Sequence, residues 1–148
     1  MYKRQENAAL IGSELKQDRH SDNTPATSHS SWNPHLIQGW TPDFIPFVLQ
    51  EAIDNNYFDK LLPVSGEQGI TWAKRLARAE GIITGISGGS TFAIAMEVAK
   101  DAPPDSNILC MLPDTGERYL SSPLFEEIPE EMTDDEQKIS LSTPNYQL

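Results

Sequence analysis

The sequence GIITGISGGSTFAIAMEVAK, residues 81–100, followed by NILCMLPDTGERY, residues 107–119, decides the fold class of this chain. A glycine-rich turn leads into a segment with helical spacing, and Pro103 and Pro104 end that segment. The unbroken apolar run at 108–112 is typical of a strand covered on both faces, and a polar turn follows it. This order predicts half of an α/β repeat with two turns suited to a ligand.

Two helices are predicted before and within this stretch. Ser65 can cap the first helix and Gly81 can end it. The apolar face of the first helix is expected to hold Ile70, Ala73, Leu76 and Ala77. The second helix is predicted to run from residues 87–90 to about Lys100, with small inner residues that favour close packing. Its apolar stripe would consist of Phe92, Ala95, Met96 and Ala99.

The N-terminal third is less regular. Residues 16–31 are polar and lack periodicity, which predicts a long loop. Leu36 and Ile37, like residues 60–64, look strand-like, while Pro42 and Pro46 exclude a regular helix through that region. The anchors of a short helical piece near the core are expected to be Phe44, Ile45, Phe47, Val48 and Leu49.

The C-terminal residues 126–148 are acidic and polar, and most of their carboxylates are expected to be solvated. Thr133 and Asp134 introduce a possible short helix. Three apolar residues are expected to hold it against the body of the protein: Met132, Ile139 and Leu141.

Composition excludes several classes of protein. With 148 residues the chain has the length of one ordinary domain, and its formal net charge of −11 argues against nucleic acid or an anionic membrane as a partner. Cys110 is the single cysteine, so the chain has no disulfide framework and no cysteine-based metal site. No apolar run approaches the length of a membrane span, and the start lacks a signal peptide's hydrophobic core, so the expected location is the cytoplasm.

The glycine-rich turn at 85–90 has two interpretations. Backbone amides at a helix N-terminus favour an anion, so the turn could contact a phosphate or a carboxylate. The sequence is neither a Walker loop, since no lysine follows the last glycine, nor a dinucleotide fingerprint. The alternative is that the small residues only let the helix approach its neighbours closely.

The polar turn after the apolar run lies where open α/β sheets place ligands. The hydroxyl of Thr115 could bond a ligand atom, and Asp114 could do the same or cap the turn. Glu117 and Arg118 are expected to form a local ion pair, and His35 to brace the turn that follows it. No Ser-His-Asp set, carboxylate pair or metal-ligand spacing is evident, so no metal is expected.

Taken together, four blocks of sequence in this order closely resemble the cysteine synthases, or O-acetylserine sulfhydrylases. The resemblance covers roughly residues 6–122. The blocks are His35-Leu36-Ile37-Gln38-Gly39, Phe44-Ile45-Pro46, Glu80-Gly81-Ile82 with Gly85-Ile86-Ser87-Gly88-Gly89, and Leu112-Pro113-Asp114-Thr115-Gly116-Glu117-Arg118-Tyr119-Leu120-Ser121.

The resemblance implies a pyridoxal-phosphate enzyme of fold type II, the tryptophan-synthase-β-like fold, with the cofactor in a cleft between two α/β domains. This chain would be its incomplete C-terminal part, with helices packed on a short sheet. By resemblance, Thr115 bonds the pyridine nitrogen of the cofactor, and the backbone of Gly39 faces the bound substrate and cofactor. A neutral hydroxyl leaves that nitrogen largely unprotonated, which suits β-replacement. The cleft-shaping residues would be Gln38, Gly85, Ile86, Ser87 and Gly88.

The resemblance also implies what lies elsewhere. In the family, the phosphate cradle precedes the matched region. None of the chain's lysines sits in the family's Schiff-base motif; they are Lys3, Lys16, Lys60, Lys74, Lys100 and Lys138. We therefore expect a C-terminal fragment that is inactive alone, with a missing N-terminal half as its partner. Residues 1–5 would be a foreign leader, 6–125 the partial enzyme domain and 126–148 an acidic extension.

In the whole enzyme, expected to be a homodimer, O-acetylserine would lose acetate and sulfide would replace it to give L-cysteine. That assigns a transferase, or lyase, of cysteine and amino-acid biosynthesis. Trp40, Thr41, Pro42 and Asp43 depart from the small, glycine-containing version of that segment in many relatives, which leaves the substrate open. The alternatives are a cystathionine β-synthase-like enzyme and a non-catalytic binding or regulatory remnant of the fold.

Overall fold

The computed structural model describes residues 17–29, 32, 34–37, 40, 43–60 and 62–142. Within these residues the chain forms four α-helices and one 3-10 turn. The helices are α1 (Phe47–Asp54), α2 (Gly66–Glu80), α3 (Ile86–Asp101) and α4 (Asp134–Ser142), and the 3-10 turn is Gly116–Tyr119. The core gathers around the paired helices α2 and α3, so the two predicted central helices are confirmed.

Both ends of α2 form as their residues predict. The Ser65 hydroxyl accepts a hydrogen bond from the amide of Gln68, and the Gln68 side chain accepts one from the amide of Ser65, which completes a capping box. Gly81 ends the helix in the left-handed region at φ 69°, which a glycine adopts without steric cost. Of the predicted apolar face, Ala73 and Leu76 are buried.

Helix α3 packs closely on α2 because glycines stand at the contact. A Cβ placed on Gly89 would lie 2.7 Å from the Cβ of Ala73, nearer than real carbon atoms approach. Trp72 and Phe92 meet edge to face across the pair, with ring centroids 5.6 Å apart. The expected close packing is thus confirmed.

The predicted apolar stripe of α3 is confirmed only in part, because Phe92 and Ala95 are half-buried and Phe92 packs on α2. Met96 and Ala99 are exposed, and the helix instead buries its first turn together with Ala93 and Ile94. The small polar residues of the first turn face the core because only they allow the close approach to α2. Apolar periodicity alone therefore misses the buried first turn and includes two exposed residues.

The sheet is not confirmed. The described residues form no strand, and they pair only in two isolated bridges, Arg19 with Pro25 and Thr84 with Thr115. The run at 108–112 was expected to be covered on both faces, but Leu109 is 98% exposed and Met111 is 70% exposed. A strand needs neighbours to satisfy its backbone, and the described residues supply none beside this run.

Two shorter strand predictions also fail among the described residues. Leu36 and Ile37 lie in a bend, and residues 62–64 have no regular structure. Ile37 and Val64 are nevertheless buried in the core, so their apolar character was read correctly although their backbone was not. His35 Nδ1 accepts a hydrogen bond of 3.2 Å from the amide of Ile37. The turn at 38–39, which His35 is expected to brace, lies outside the described residues.

Helix α1 begins directly after Pro46, in agreement with the prolines, but only one of its predicted anchors is fully buried. Ile45 is buried, whereas Phe44, Phe47 and Val48 are exposed. The predicted loop at 16–31 forms no helix or strand over residues 17–29. Arg19 of this segment donates to the carbonyl of Ile45 and lies 5.7 Å from the centroid of the Phe47 ring.

The C-terminal helix forms, but it does not pack on the body. Thr133 and Glu136 exchange hydrogen bonds at its start, with the Thr133 amide 2.7 Å from the Glu136 carboxylate. All of α4 is exposed, including Ile139 and Leu141, so the expected docking is wrong. The body ends instead near buried Leu124, where Lys74 and Glu127 form an ion pair of 3.0 Å.

Candidate functional site

The two turns predicted from the sequence meet in the structure. Thr84 and Thr115 form an antiparallel bridge, in which the amide of Gly116 donates to the carbonyl of Ile83 at 3.3 Å. The amide of Gly85 donates to the carbonyl of Asp114 at 3.4 Å, and the Thr84 hydroxyl donates to the same carbonyl at 3.0 Å. The turn that carries Thr115 is therefore tied to the residues that open α3.

The phenol of Tyr119 completes this junction. Its hydroxyl donates to Oδ2 of Asp114. Burial, and after it the hydrogen bond with Asp114, raise the pKa of Tyr119, while the hydroxyl of Ser87 opposes the rise. Tyr119 therefore stays protonated, and remains a hydrogen-bond donor, above the pH at which an exposed tyrosine ionises.

The close fit of Tyr119 depends on Gly85. A Cβ placed on Gly85 would lie 2.5 Å from Cζ of the Tyr119 ring. The backbone of Gly85 has φ −72° and ψ 177°, which any residue can adopt, so the glycine is required here for space rather than for conformation. Gly85, one of the predicted cleft-shaping residues, thus packs against an aromatic ring.

The other predicted cleft-shaping residues are buried at the start of α3. A Cβ on Gly88 would lie 3.0 Å from Cβ of Thr84, and Ile86 and Ser87 are almost fully buried. This burial supports the interpretation in which small residues allow close packing. The alternative, an anion bound at the helix N-terminus, stays a prediction.

Thr115 itself is exposed, at the tip of the junction. Its hydroxyl hydrogen-bonds the carboxylate of Glu117, and this bond lowers the pKa of Glu117. The ion pair expected between Glu117 and Arg118 does not form, and Thr115 rather than Arg118 is the partner of the Glu117 carboxylate. The neutral hydroxyl proposed as a ligand group is thus accessible to a ligand.

Of the remaining site predictions, two lie outside the described residues and one, Asp114, is part of the junction. Gln38 and Gly39 lie outside the described residues. Asp114 was considered as a ligand group or a turn cap, yet its carboxylate is bound by Tyr119.

The sequence reasoning missed Tyr119 and Thr84. A signal for Tyr119 exists in its spacing, because residues three apart in a 3-10 turn stack on one side and Tyr119 follows Gly116 by three.

No group of three or more metal-ligating side chains occurs in the part of the chain that the structure describes. None of the described helices is both long and apolar enough to cross a bilayer.

Comparison with known proteins identifies relatives of this chain. The family model of the pyridoxal-phosphate dependent enzymes matches residues 4–114. An O-ureido-L-serine synthase from Streptomyces lavendulae is 42% identical over 121 residues, which cover 82% of this chain and 36% of that protein. A probable cysteine synthase from Bacillus subtilis is 39% identical over 102 residues, covering 69% of this chain and 32% of that protein. The chain therefore spans about a third of the length of these relatives.

Solved structures agree with the sequence relatives. A crystal structure of O-ureido-L-serine synthase superposes with a TM-score of 0.62 at 44% identity, covering 73% of this chain and 33% of that one. The O-acetylserine-dependent cystathionine β-synthase from Helicobacter pylori gives a TM-score of 0.56 at 32% identity, covering 63% and 29%. The resemblance seen in the residues is thereby confirmed. This chain belongs to the pyridoxal-phosphate-dependent enzymes, whose cofactor is pyridoxal 5′-phosphate.

Proposed function

We propose that the whole protein is a cysteine synthase-like transferase that replaces the acetoxy group of O-acetylserine with sulfide to give L-cysteine. The observation that carries this proposal is the accessible Thr115 hydroxyl, held by backbone and side-chain hydrogen bonds against the start of α3. The similarity to a probable cysteine synthase supports the reaction class, and small amino acids are the substrates of this family.

The residues present fit the part of the cofactor that they would meet. Bound pyridoxal phosphate supplies an electron sink for bonds at the substrate α-carbon. Thr115 would hold the pyridine nitrogen, because a hydroxyl can donate a hydrogen bond without giving up its proton at neutral pH. Thr115 and its partner Glu117 are both exposed, so such a ligand can reach the hydroxyl. The second proposed cofactor contact is the backbone of Gly39.

The chain's own residues would act on this site by orientation. The bridge between Thr84 and Thr115 fixes the backbone of the hydroxyl residue, and burial of Gly85, Ile86, Ser87 and Gly88 gives the adjoining wall a rigid packing. A fixed donor aimed at a reacting group costs little reorganisation during the reaction. With Gln38, these residues would shape the wall of the cleft.

Replacing Thr115 tests the proposal. In the whole enzyme, Thr115→Val removes the donor but keeps the shape, and we expect kcat/KM for cysteine formation to fall about tenfold or more, the worth of one hydrogen bond of roughly 1.4 kcal/mol. Thr115→Ser is the matched control and should retain most of the activity. Equal activity in all three proteins would contradict the role given to Thr115.

We further propose that the Schiff-base lysine lies in a part of the enzyme outside this chain, so that the chain alone is inactive. The test is to mix the purified chain with pyridoxal phosphate, reduce with borohydride and map the modified lysines by mass spectrometry. We expect scattered, substoichiometric labelling of the lysines. Stoichiometric labelling of one lysine would show that the catalytic amine is present in the chain itself.

An enzyme that forms O-ureido-L-serine is the second candidate. The specific observation in its favour is the 42% identity to O-ureido-L-serine synthase, over 82% of this chain. Product analysis separates the possibilities: the whole enzyme is supplied with O-acetylserine and, in turn, with sulfide, with hydroxyurea and with homocysteine. Cysteine as the preferred product supports the leading proposal, while O-ureidoserine or cystathionine would replace it.

The remaining assignments are proposals of the same kind. Residues 6–125 would be part of the catalytic body and 126–148 an acidic extension, in a homodimeric cytoplasmic enzyme. The exposed surface of α4 supports a division near residue 125. Light scattering of the whole enzyme, with and without residues 126–148, tests whether this extension is dispensable for dimer formation.

A further inference from the structure

We propose that Tyr119 is a positioning residue that occupies the carboxylate of Asp114, so that the neutral hydroxyl of Thr115 alone serves as the partner of the pyridine nitrogen. This inference rests on the proposed function of Thr115. Tyr119 touches no reacting atom in this proposal and acts through its neighbour in sequence, Asp114.

The first argument comes from the order of the side chains. Asp114 directly precedes Thr115, so a carboxylate and a hydroxyl are offered at the same turn. A carboxylate beside a pyridine nitrogen would favour its protonated form, whereas a hydroxyl does not. An additional contact is therefore needed to determine whether the Asp114 carboxylate or the Thr115 hydroxyl meets the pyridine ring.

The second argument is the hydrogen bond that closes this turn. The Tyr119 hydroxyl reaches back over five residues to Oδ2 of Asp114, so residues 114 and 119 are joined on either side of Thr115. The Asp114 carbonyl is held as well, by the Gly85 amide and the Thr84 hydroxyl. Side chain and backbone of Asp114 are thus both engaged, while Thr115 is exposed.

The third argument is that the fold makes room for this contact. The Tyr119 ring is buried against Gly85, at a place where a Cβ would collide with it. The phenol hydroxyl is paired with the Asp114 carboxylate. A residue that only filled space would not need a buried hydroxyl, because burying a polar group is unfavourable unless it is paired.

The charges around the phenol support a permanent donor. The ionisable groups that act on Tyr119 are Asp114, which raises its pKa, and Arg118, which lowers it, and burial is the largest influence. The phenol therefore remains protonated at neutral pH. The Asp114 carboxylate consequently keeps its partner throughout the pH range in which the enzyme would work.

The test measures the protonation of the ring nitrogen directly. The whole enzyme is loaded with pyridoxal phosphate carrying ¹⁵N in the ring, and the ¹⁵N chemical shift is followed against pH. Tyr119→Phe frees Asp114, and we expect the protonation midpoint of the ring nitrogen to rise by about one pH unit, as an added nearby carboxylate does. Adding Asp114→Asn to Tyr119→Phe should return the midpoint to that of the native enzyme.

Asp114→Asn alone provides a second test if Tyr119→Phe folds poorly. With Asp114 already occupied in the native enzyme, this variant should leave the midpoint unchanged. A large downward shift would show that Asp114 already faces the ring, which would overturn the inference. An unchanged midpoint in well-folded Tyr119→Phe would overturn it as well.

Thr115→Val separates this inference from the proposed function. If Thr115→Val changes the ring ¹⁵N shift and Tyr119→Phe does not, Thr115 keeps its role and only the role of Tyr119 fails. If Thr115→Val also leaves the ¹⁵N shift unaltered, the proposed contact between Thr115 and the ring nitrogen fails, and the inference fails with it.

Discussion

At the scale of single residues, the contact between Gly85 and Tyr119 decides how the two turns fit together. The ring occupies the space that a side chain on Gly85 would need. Because the Gly85 backbone lies in an ordinary extended region, alanine there would be strained only by this collision. The contact can therefore be tested by substitution at either partner.

We expect Gly85→Ala to lower the free energy of unfolding by about 1–3 kcal/mol, the usual cost of overpacking a buried site. Tyr119→Leu removes the far end of the ring, so the double variant should lose less stability than the sum of the two single variants. Urea denaturation of the four proteins measures this coupling. Strict additivity would show that the ring does not press on residue 85.

The ionisation of Tyr119 gives a second prediction. Because its pKa in the folded protein is raised above the ordinary value of about 10, the protonated phenol contributes stability that is full below about pH 10 and is lost as the pH rises through the raised pKa. We expect an alkaline titration of tyrosinate absorbance to show a late component that Tyr119→Phe removes. Asp114→Asn should move this component to lower pH.

Prediction from sequence reached part of this residue-scale picture. The sequence indicates Thr115 because its hydroxyl follows an apolar run, and the exposure of Thr115 agrees with a ligand-binding role. The bonds from Tyr119 to Asp114 and from Thr115 to Glu117 were missed, because side-chain partners depend on rotamers that sequence spacing does not fix.

At the scale of elements, α2 is the helix whose ends are marked most clearly by capping residues in the sequence. We expect Ser65→Ala to destabilise the protein by about 1 kcal/mol, because the Gln68 amide loses its acceptor. Thr71→Ala, at an exposed position of the same helix, is the matched control and should change stability little. Thermal unfolding followed by circular dichroism measures both. Equal effects would show that the cap contributes nothing specific.

The helices were predictable and the strands were not, for one physical reason. Caps and helical spacing are local signals, and Ser65 and Gly81 mark α2 without reference to the rest of the molecule. A strand is stabilised by partners far away in sequence, so the apolar run at 108–112 indicates only a tendency to form a strand. In this chain that run has no paired strand among the described residues.

At the scale of the whole molecule, the apolar residues of that run form an uncovered surface. Ile108, Leu109 and Met111 are all exposed, and unpaired backbone beside apolar side chains favours association. The chain carries a net charge of −11, which opposes self-association at low salt through repulsion. The extent of self-association should therefore depend on ionic strength.

We expect the isolated chain to associate, and to do so more strongly as salt screens its charge. Leu109→Ser should shift sedimentation-velocity profiles towards the monomer. Leu141→Ser is the matched control, since Leu141 is also highly exposed, at 84%, but lies on α4 away from the run. A sharp monomer peak for the unmodified chain at all salt concentrations would contradict the prediction.

The packing of Trp72 has a practical consequence for such measurements. Its indole ring touches Phe92 of α3 on one side, and the guanidinium of Arg75 lies 4.1 Å from the ring centroid. Separation of α2 from α3 would expose this indole to water and shift its emission to longer wavelength. Fluorescence can thus report whether the helix pair has formed, without any dye being attached.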